Sequence, residues 1–147
     1  MQYLLNENDV VRHTCSALVR ERWSIARAAT TKDRGIDIVA DRDGSRLYVE
    51  AKGVTSSDET SRRYGSLQTS SQIFIQVAAA LLKTAELRDT DPEAEVVIAV
   101  PEHPAMRRRL GGINSVLRDA RIGVLWVDAD GGVAGWNTTA VPSTDRR

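Results

Sequence analysis

Apolar positions recur along this chain with two periods, and each change of period predicts an element. After an apolar lead-in from Met1 to Leu5, Val11, Cys15 and Leu18 fall on one face at helical spacing, with Val10 and Val19 beside them. Asn6 is placed to cap this helix, with Asp9 as a capping-box acid, and the helix is expected to run to about Arg22. Trp23 to Ala29 alternates as a strand, and Thr30 to Gly35 is a polar loop. Two apolar-rich runs then flank Asp43-Gly44, a dipeptide suited to positive φ at both centres of a tight turn, so a hairpin is expected. Ile73, Val77, Ala80 and Leu81 make the stripe of the strongest helix, Ser71 to Arg88, and Thr84 continues it. Val96 to Val100 is continuously apolar, as a strand buried on both faces would be. Met106, Leu110, Ile113 and Leu117 predict a helix from about Pro104 to Ala120, which Gly111-Gly112 could bend. Ile122 to Val127 is a further strand, and Val133 to Trp136 is expected to pair back beyond the Asp130-Gly131-Gly132 turn.

The resulting order is αβββαβαβ with a short final edge. The first strands form an antiparallel meander, and the later ones alternate with helices, which implies parallel crossovers. The fold class is therefore α/β, a mixed central sheet with helices on both faces. A single domain is expected over residues 1–136, with 137–147 as a flexible tail, because no apolar period survives there. With 20 basic and 20 acidic side chains the formal charge is zero. That weighs against a general nucleic-acid coat protein but leaves room for a local basic groove. The one cysteine, Cys15, excludes an internal disulfide and multi-cysteine zinc sites. The longest apolar run, Val77 to Leu82, is too short for a membrane, no signal peptide is visible, and the cytoplasm is the expected compartment.

Candidate chemistry concentrates in the hairpin. If Asp43 and Gly44 are the turn residues, Arg42 faces Ser45 and Asp37 stands opposite Glu50. Directly opposed side chains have Cβ atoms about 4.5–5.5 Å apart. Glu50 and Lys52 share a face, while Val49 and Ala51 point the other way. Two carboxylates so close need a proton or a cation between them, and oxygen ligands suit magnesium or manganese. Exposed hairpins also carry Asp, Glu and Lys on solvated faces. Here, however, Asp37 sits among Ile36, Ile38 and Val39, and Glu50 between Val49 and Ala51, where acids cost free energy unless compensated. Glu7 is either a first-turn acid favoured by the helix dipole or a third carboxylate aimed at the metal. Gln76, on the edge of its helix with Gln72 and Lys83, either caps the core or reaches a water or phosphate near the metal. Lys32 and Arg34 precede Asp37 and could meet phosphate, or simply be solvated. The long polar stretch from Gly53 to Ser70, with Arg62 and Arg63, leaves the Glu50–Lys52 strand and is placed to cover the site. Arg107, Arg108 and Arg109 read mainly as a solvated face, His13 as a boundary residue and His103 as a cap or loop residue.

This order, with Gly35-Ile36-Asp37 in one strand and Glu50-Ala51-Lys52 in the next, resembles the PD-(D/E)xK nuclease superfamily, the restriction-endonuclease-like fold. It is similar in particular to the branch of archaeal Holliday-junction resolvases and methyl-directed restriction enzymes. The resemblance covers roughly Glu7 to Val127, and the proline that names the motif is Ile36 here. It implies that Asp37 and Glu50 bind a divalent metal, Mg2+ or Mn2+, together with the Ala51 carbonyl. It implies that Lys52 polarises the attacking water or the scissile phosphate. Glu7 could match a Glu that the family often adds from the first helix, and Gln76 a Gln from the next. The implied activity is metal-assisted phosphodiester hydrolysis by an endonuclease acting on nucleic acid, DNA in the first instance, with Lys32, Arg34, Arg62 and Arg63 contacting it. The alternative is a module of the same fold that binds nucleic acid or assembles with proteins without turnover. A homodimer would place two centres for cutting two strands.

Overall fold

The structure is a computed structural model that describes residues 3–28, 35–56, 58, 60 and 65–143. Among them, four helices and six strands form one unit: α1 (Glu7–Arg20), β1 (Ser24–Ala28), β2 (Ile38–Arg42), β3 (Ser45–Ala51), α2 (Ser70–Thr90), β4 (Glu95–Pro101), α3 (Pro104–Gly111), α4 (Asn114–Asp119), β5 (Ile122–Val127) and β6 (Val133–Trp136). The strands lie in the sheet in chain order. β1, β2 and β3 are antiparallel, β3–β4 and β4–β5 are parallel, and β6 returns antiparallel along β5. This is a mixed sheet of the α/β class.

Local chemistry sets the boundaries. Asn6 Oδ1 accepts from the Asp9 amide at 2.8 Å, and the Asp9 carboxylate accepts from the Asn6 amide at 3.0 Å, so α1 begins on the expected capping box. Thr69 and Gln72 make a second box at the start of α2. His103 Nδ1 accepts from the Ala105 amide at 3.1 Å and caps α3. In the hairpin turn, Asp43 and Gly44 have φ of 52° and 81°, as a primed turn requires. The single helix expected over Pro104–Ala120 is two helices. The chain breaks over Gly112 and Ile113, where glycine lowers the helix's hold on the backbone.

The sheet divides two cores. Leu47, Val49 and Ala51 point with Ile38 and Ala40 toward α1, while Ile98, Val100 and Val124 point toward α2, α3 and α4. The strand expected to be buried on both faces is so: Val96 to Val100 are each fully buried. The expected tail needs correction over 137–143. Ala140 and Val141 are buried in the α1 core, the Trp23 indole N–H donates to the Ala140 carbonyl at 3.0 Å, and the Gly135 amide donates to the Pro142 carbonyl at 2.8 Å. An irregular segment held by backbone bonds and two small apolar side chains carries no period, which is why the pattern missed it. Residues 144–147 lie outside the described residues. Among the described residues, no helix is long and apolar enough to cross a membrane.

Candidate metal centre

The β2–β3 ladder pairs Arg42 with Ser45 and Ile38 with Val49. One step further along that register, Asp37 stands opposite Glu50, just beyond the end of β2. There the Asp37 side chain takes over from the backbone ladder: its Oδ2 accepts from the Ala51 amide at 2.8 Å. Glu50 pairs in register with Ile98 of β4 and faces α2. Both acids are buried, Asp37 7% and Glu50 2% exposed.

The carboxyl end of β3 is drawn against the start of α1. The Lys52 amide still donates to Ala99 of β4, at 3.0 Å, after which the chain turns and the Val54 amide donates to Leu5 at 3.0 Å. Between them lies Gly53, where a Cβ would stand 2.5 Å from backbone atoms of Asn6 and Glu7. Only a residue without a Cβ allows this approach. The contact brings Glu7, the first residue of α1, up to the acidic pair.

From α2, the half-buried Lys83 reaches in. Its Nζ lies 3.3 Å from Glu50 Oε2 and donates to the Gly35 carbonyl at 2.7 Å. It thus ties α2 to the loop before Asp37 and to β3 at once. The other carboxylate oxygen of Glu50, Oε1, is buried with no hydrogen-bond donor. A buried acceptor without a partner forfeits its hydration, at about 1–3 kcal/mol or more for a charged group.

The electrostatics follow. Burial first, then the Asp37 carboxyl beside it, push the Glu50 carboxyl up to about 7, against the opposing pull of Lys83 and Lys52. Burial, then the charge of Asp37, also raises Glu7, with Lys52 and Lys83 pulling it down. Glu7, Asp37, Glu50, Lys52 and Lys83 therefore form one electrostatic unit. Among the described residues, no three His, Cys, Asp or Glu side chains converge as a ready ligand set. Glu7 is a charged neighbour of the pair. Two carboxylates still suit magnesium, which keeps several waters and commonly takes only one or two carboxylates from the protein. The unpartnered Glu50 Oε1 is where a cation would supply the missing contact.

The remaining expectations fall as follows. Gln76 is half-buried on α2, two turns before Lys83. Lys32, Arg34, Arg62 and Arg63 lie outside the described residues. Arg107 is engaged elsewhere, bidentate on Glu102 at 2.7 and 2.9 Å and 3.8 Å over the Trp126 ring. His13 packs against the turn at Gly131. Lys83 and Gly53 have roles in the site that the pattern did not assign. The available signals were a lysine seven residues after Gln76 on one helix edge, and a glycine directly after Lys52.

Fold and site together define an α/β protein with a buried acidic pair at the carboxyl end of a central strand. No protein-family model and no curated protein matches the sequence. Among solved structures, the chain is similar to an FdxN element excision controlling factor protein from Anabaena variabilis, with a TM-score of 0.52 and 19% identity over 90% of this chain and 98% of that one. At that identity the likeness speaks for the fold: a mixed sheet with flanking helices.

Proposed function

We propose that this chain is a divalent-metal-dependent nuclease that hydrolyses phosphodiester bonds, in DNA in the first instance, with a restriction-endonuclease-like fold. The observation that carries the reading is the pair Asp37–Glu50, buried side by side, with one Glu50 oxygen left without a donor. Asp37, Glu50 and the Ala51 carbonyl would hold Mg2+ or Mn2+. Bound there, such an ion neutralises charge on a phosphate and acidifies a water. Lys52 follows Glu50 by two residues, on the same side of the sheet, and orients the attacking water while offsetting charge on the phosphate oxygens. Lys83 holds Glu50 Oε2 and the Gly35 carbonyl, so it fixes the spacing of the two acid-bearing segments.

The second reading is a module of the same fold that binds nucleic acid or assembles with proteins without turnover. The Lys83–Glu50 ion pair favours it, because a lysine already partly satisfies the carboxylate that a cation would need.

The test is to incubate the protein with plasmid, single-stranded and branched DNA, with and without magnesium or manganese, beside Glu50→Ala and Lys52→Ala. Metal-dependent cleavage by the unaltered chain alone supports the nuclease. Equal behaviour of all three proteins removes it for those substrates, and metal-independent binding without cleavage favours the module.

A further inference from the structure

Of the two lysines whose charge acts on Glu50, Lys52 and Lys83, only Lys83 makes an ion pair with it among the described residues. The Lys83 ammonium divides its contacts unequally. The short bond, 2.7 Å, goes to the neutral Gly35 carbonyl, and the contact with Glu50 Oε2 is 3.3 Å. A charge-assisted N–H···O bond to a carboxylate is commonly about 2.7–2.9 Å. Glu50 Oε1, the other oxygen of the same group, receives no donor. The acid is therefore only half served, by a single charge set to one side of it. The lysine is also placed to leave. Its side chain is 42% exposed against 2% for Glu50, and it rides on a flexible four-carbon stem.

A second carboxylate stands beside it. Glu86 follows Lys83 by three residues on α2, a spacing at which oppositely charged side chains are neighbours on the helix surface. Glu86 is exposed, and among the described residues its carboxylate is in no ion pair. One ammonium thus has two acids to choose between, a buried one shared with Asp37 and a solvated one on its own helix.

We infer that Lys83 is a tethered counter-ion, which neutralises Glu50 in the metal-free protein and gives way to a divalent cation by turning to Glu86. The inference rests on the metal centre proposed above and concerns its regulation. Two cations on one carboxylate repel each other. The divalent ion carries the larger charge and takes several oxygens at once, whereas the lysine has another acid to go to. Its departure also removes the donor from the Gly35 carbonyl, two residues before Asp37, while Arg27 Nε still holds the neighbouring Ile36 carbonyl at 3.1 Å. Lys83 therefore sets the cation concentration at which the centre fills, and it spares the metal-free acids part of their mutual repulsion.

Mn2+ binding by the full chain, followed by electron paramagnetic resonance of the free ion, tests this without reference to cleavage. Lys83→Met keeps the apolar stem and removes the charge, and it should bind Mn2+ about tenfold more tightly than the unaltered chain. Adding Glu50→Gln should abolish binding in both backgrounds, which assigns the ion to this centre. Glu86→Gln should weaken binding by about twofold in the unaltered chain and leave Lys83→Met unchanged, because only a resident lysine needs Glu86. In the unaltered protein, acetylation of Lys83 read by mass spectrometry should rise severalfold on adding Mg2+, whether or not the variants fold. Weaker Mn2+ binding by Lys83→Met would make Lys83 a brace for the acids and overturn the inference, as would Lys83 acetylation indifferent to saturating Mg2+. Either result leaves the metal centre standing. Absence of Glu50-dependent Mn2+ binding from both the unaltered chain and Lys83→Met would overturn the inference and the metal centre together. Tighter binding by Lys83→Met without DNA cleavage supports the inference and removes the nuclease alone.

Discussion

At the carboxyl end of β3, Asp37 and Glu50 are packed together with one acceptor unpartnered, and the Glu50 carboxyl is pushed up to about 7. At the other end of the sheet, where β3, β4 and β5 begin, Arg42, Arg88 and Arg121 line a groove of about 650 Å³. This hollow has the weaker claim to chemistry. Arg88 donates to the carbonyls of Ala120, Pro92, Ala94 and Arg121 at 3.0, 3.1, 2.7 and 2.6 Å. Arg42 donates to Glu21 and Thr139 and lies 4.2 Å over the Trp23 ring, and Arg121 donates to Pro92. These arginines fasten loops together. Charge is present at both ends, but of the two, among the described residues, only the acidic end holds a buried polar atom without a partner, and such an atom is what a ligand can use.

The largest expected effect lies at the acidic end. Glu50→Gln should lower metal-dependent DNA cleavage by about a thousandfold, while the metal-free protein at pH 8 becomes more stable by about 2 kcal/mol, because a buried charge has gone. Loss of activity with gain of stability, read by cleavage rate and by urea unfolding, is the signature of a functional acid. Arg88→Ala should do the reverse at the other end, costing about 3 kcal/mol in the same unfolding measurement by orphaning carbonyls, with Mg2+ binding unchanged in titration calorimetry. If this variant instead kept its Tm and lost DNA or anion binding, the arginine groove would be the site and the contrast between the ends would collapse.

Gly53→Ala should cost about 2–3 kcal/mol, since the new methyl meets backbone 2.5 Å away. It should also weaken Mg2+ binding, because α1 must withdraw with Glu7. The smallest expected effect is a slope with pH. Folded Glu50 keeps its proton to about 7, whereas its ordinary value is 4.5. Its contribution to stability is therefore fully present below about pH 4.5 and is lost as pH rises through about 7. Urea unfolding at pH 5 and pH 8 with a chelator reads this. Glu50→Gln should flatten the slope, and saturating Mg2+ should reduce it.

Much of the fold was legible because it is written in short-range patterns. The Asp43-Gly44 turn sets the register of its two strands by itself, and that register alone carries Asp37 to its place opposite Glu50. The caps at Asn6 and His103 were legible for the same reason. Lys83 was not. Its partner is 33 positions away, across a crossover whose packing angle no local pattern records. Gly53 read as the start of a polar loop, because the backbone it must clear belongs to the other end of the chain's first 50 residues. Ala140 and Val141 carried no period, because an irregular strap needs none.

By itself, then, the order of residues determined the strand pairing at the hairpin, the α/β alternation and the adjacency of two acids, all consequences of side-chain period and turn chemistry over neighbouring positions. Only the tertiary structure decided that these acids are buried, that one oxygen lacks a donor, that a lysine from α2 reaches them, and that the far side of α2 is left bare. Burial and long-range partners depend on how whole elements pack, and packing joins residues that no local spacing connects.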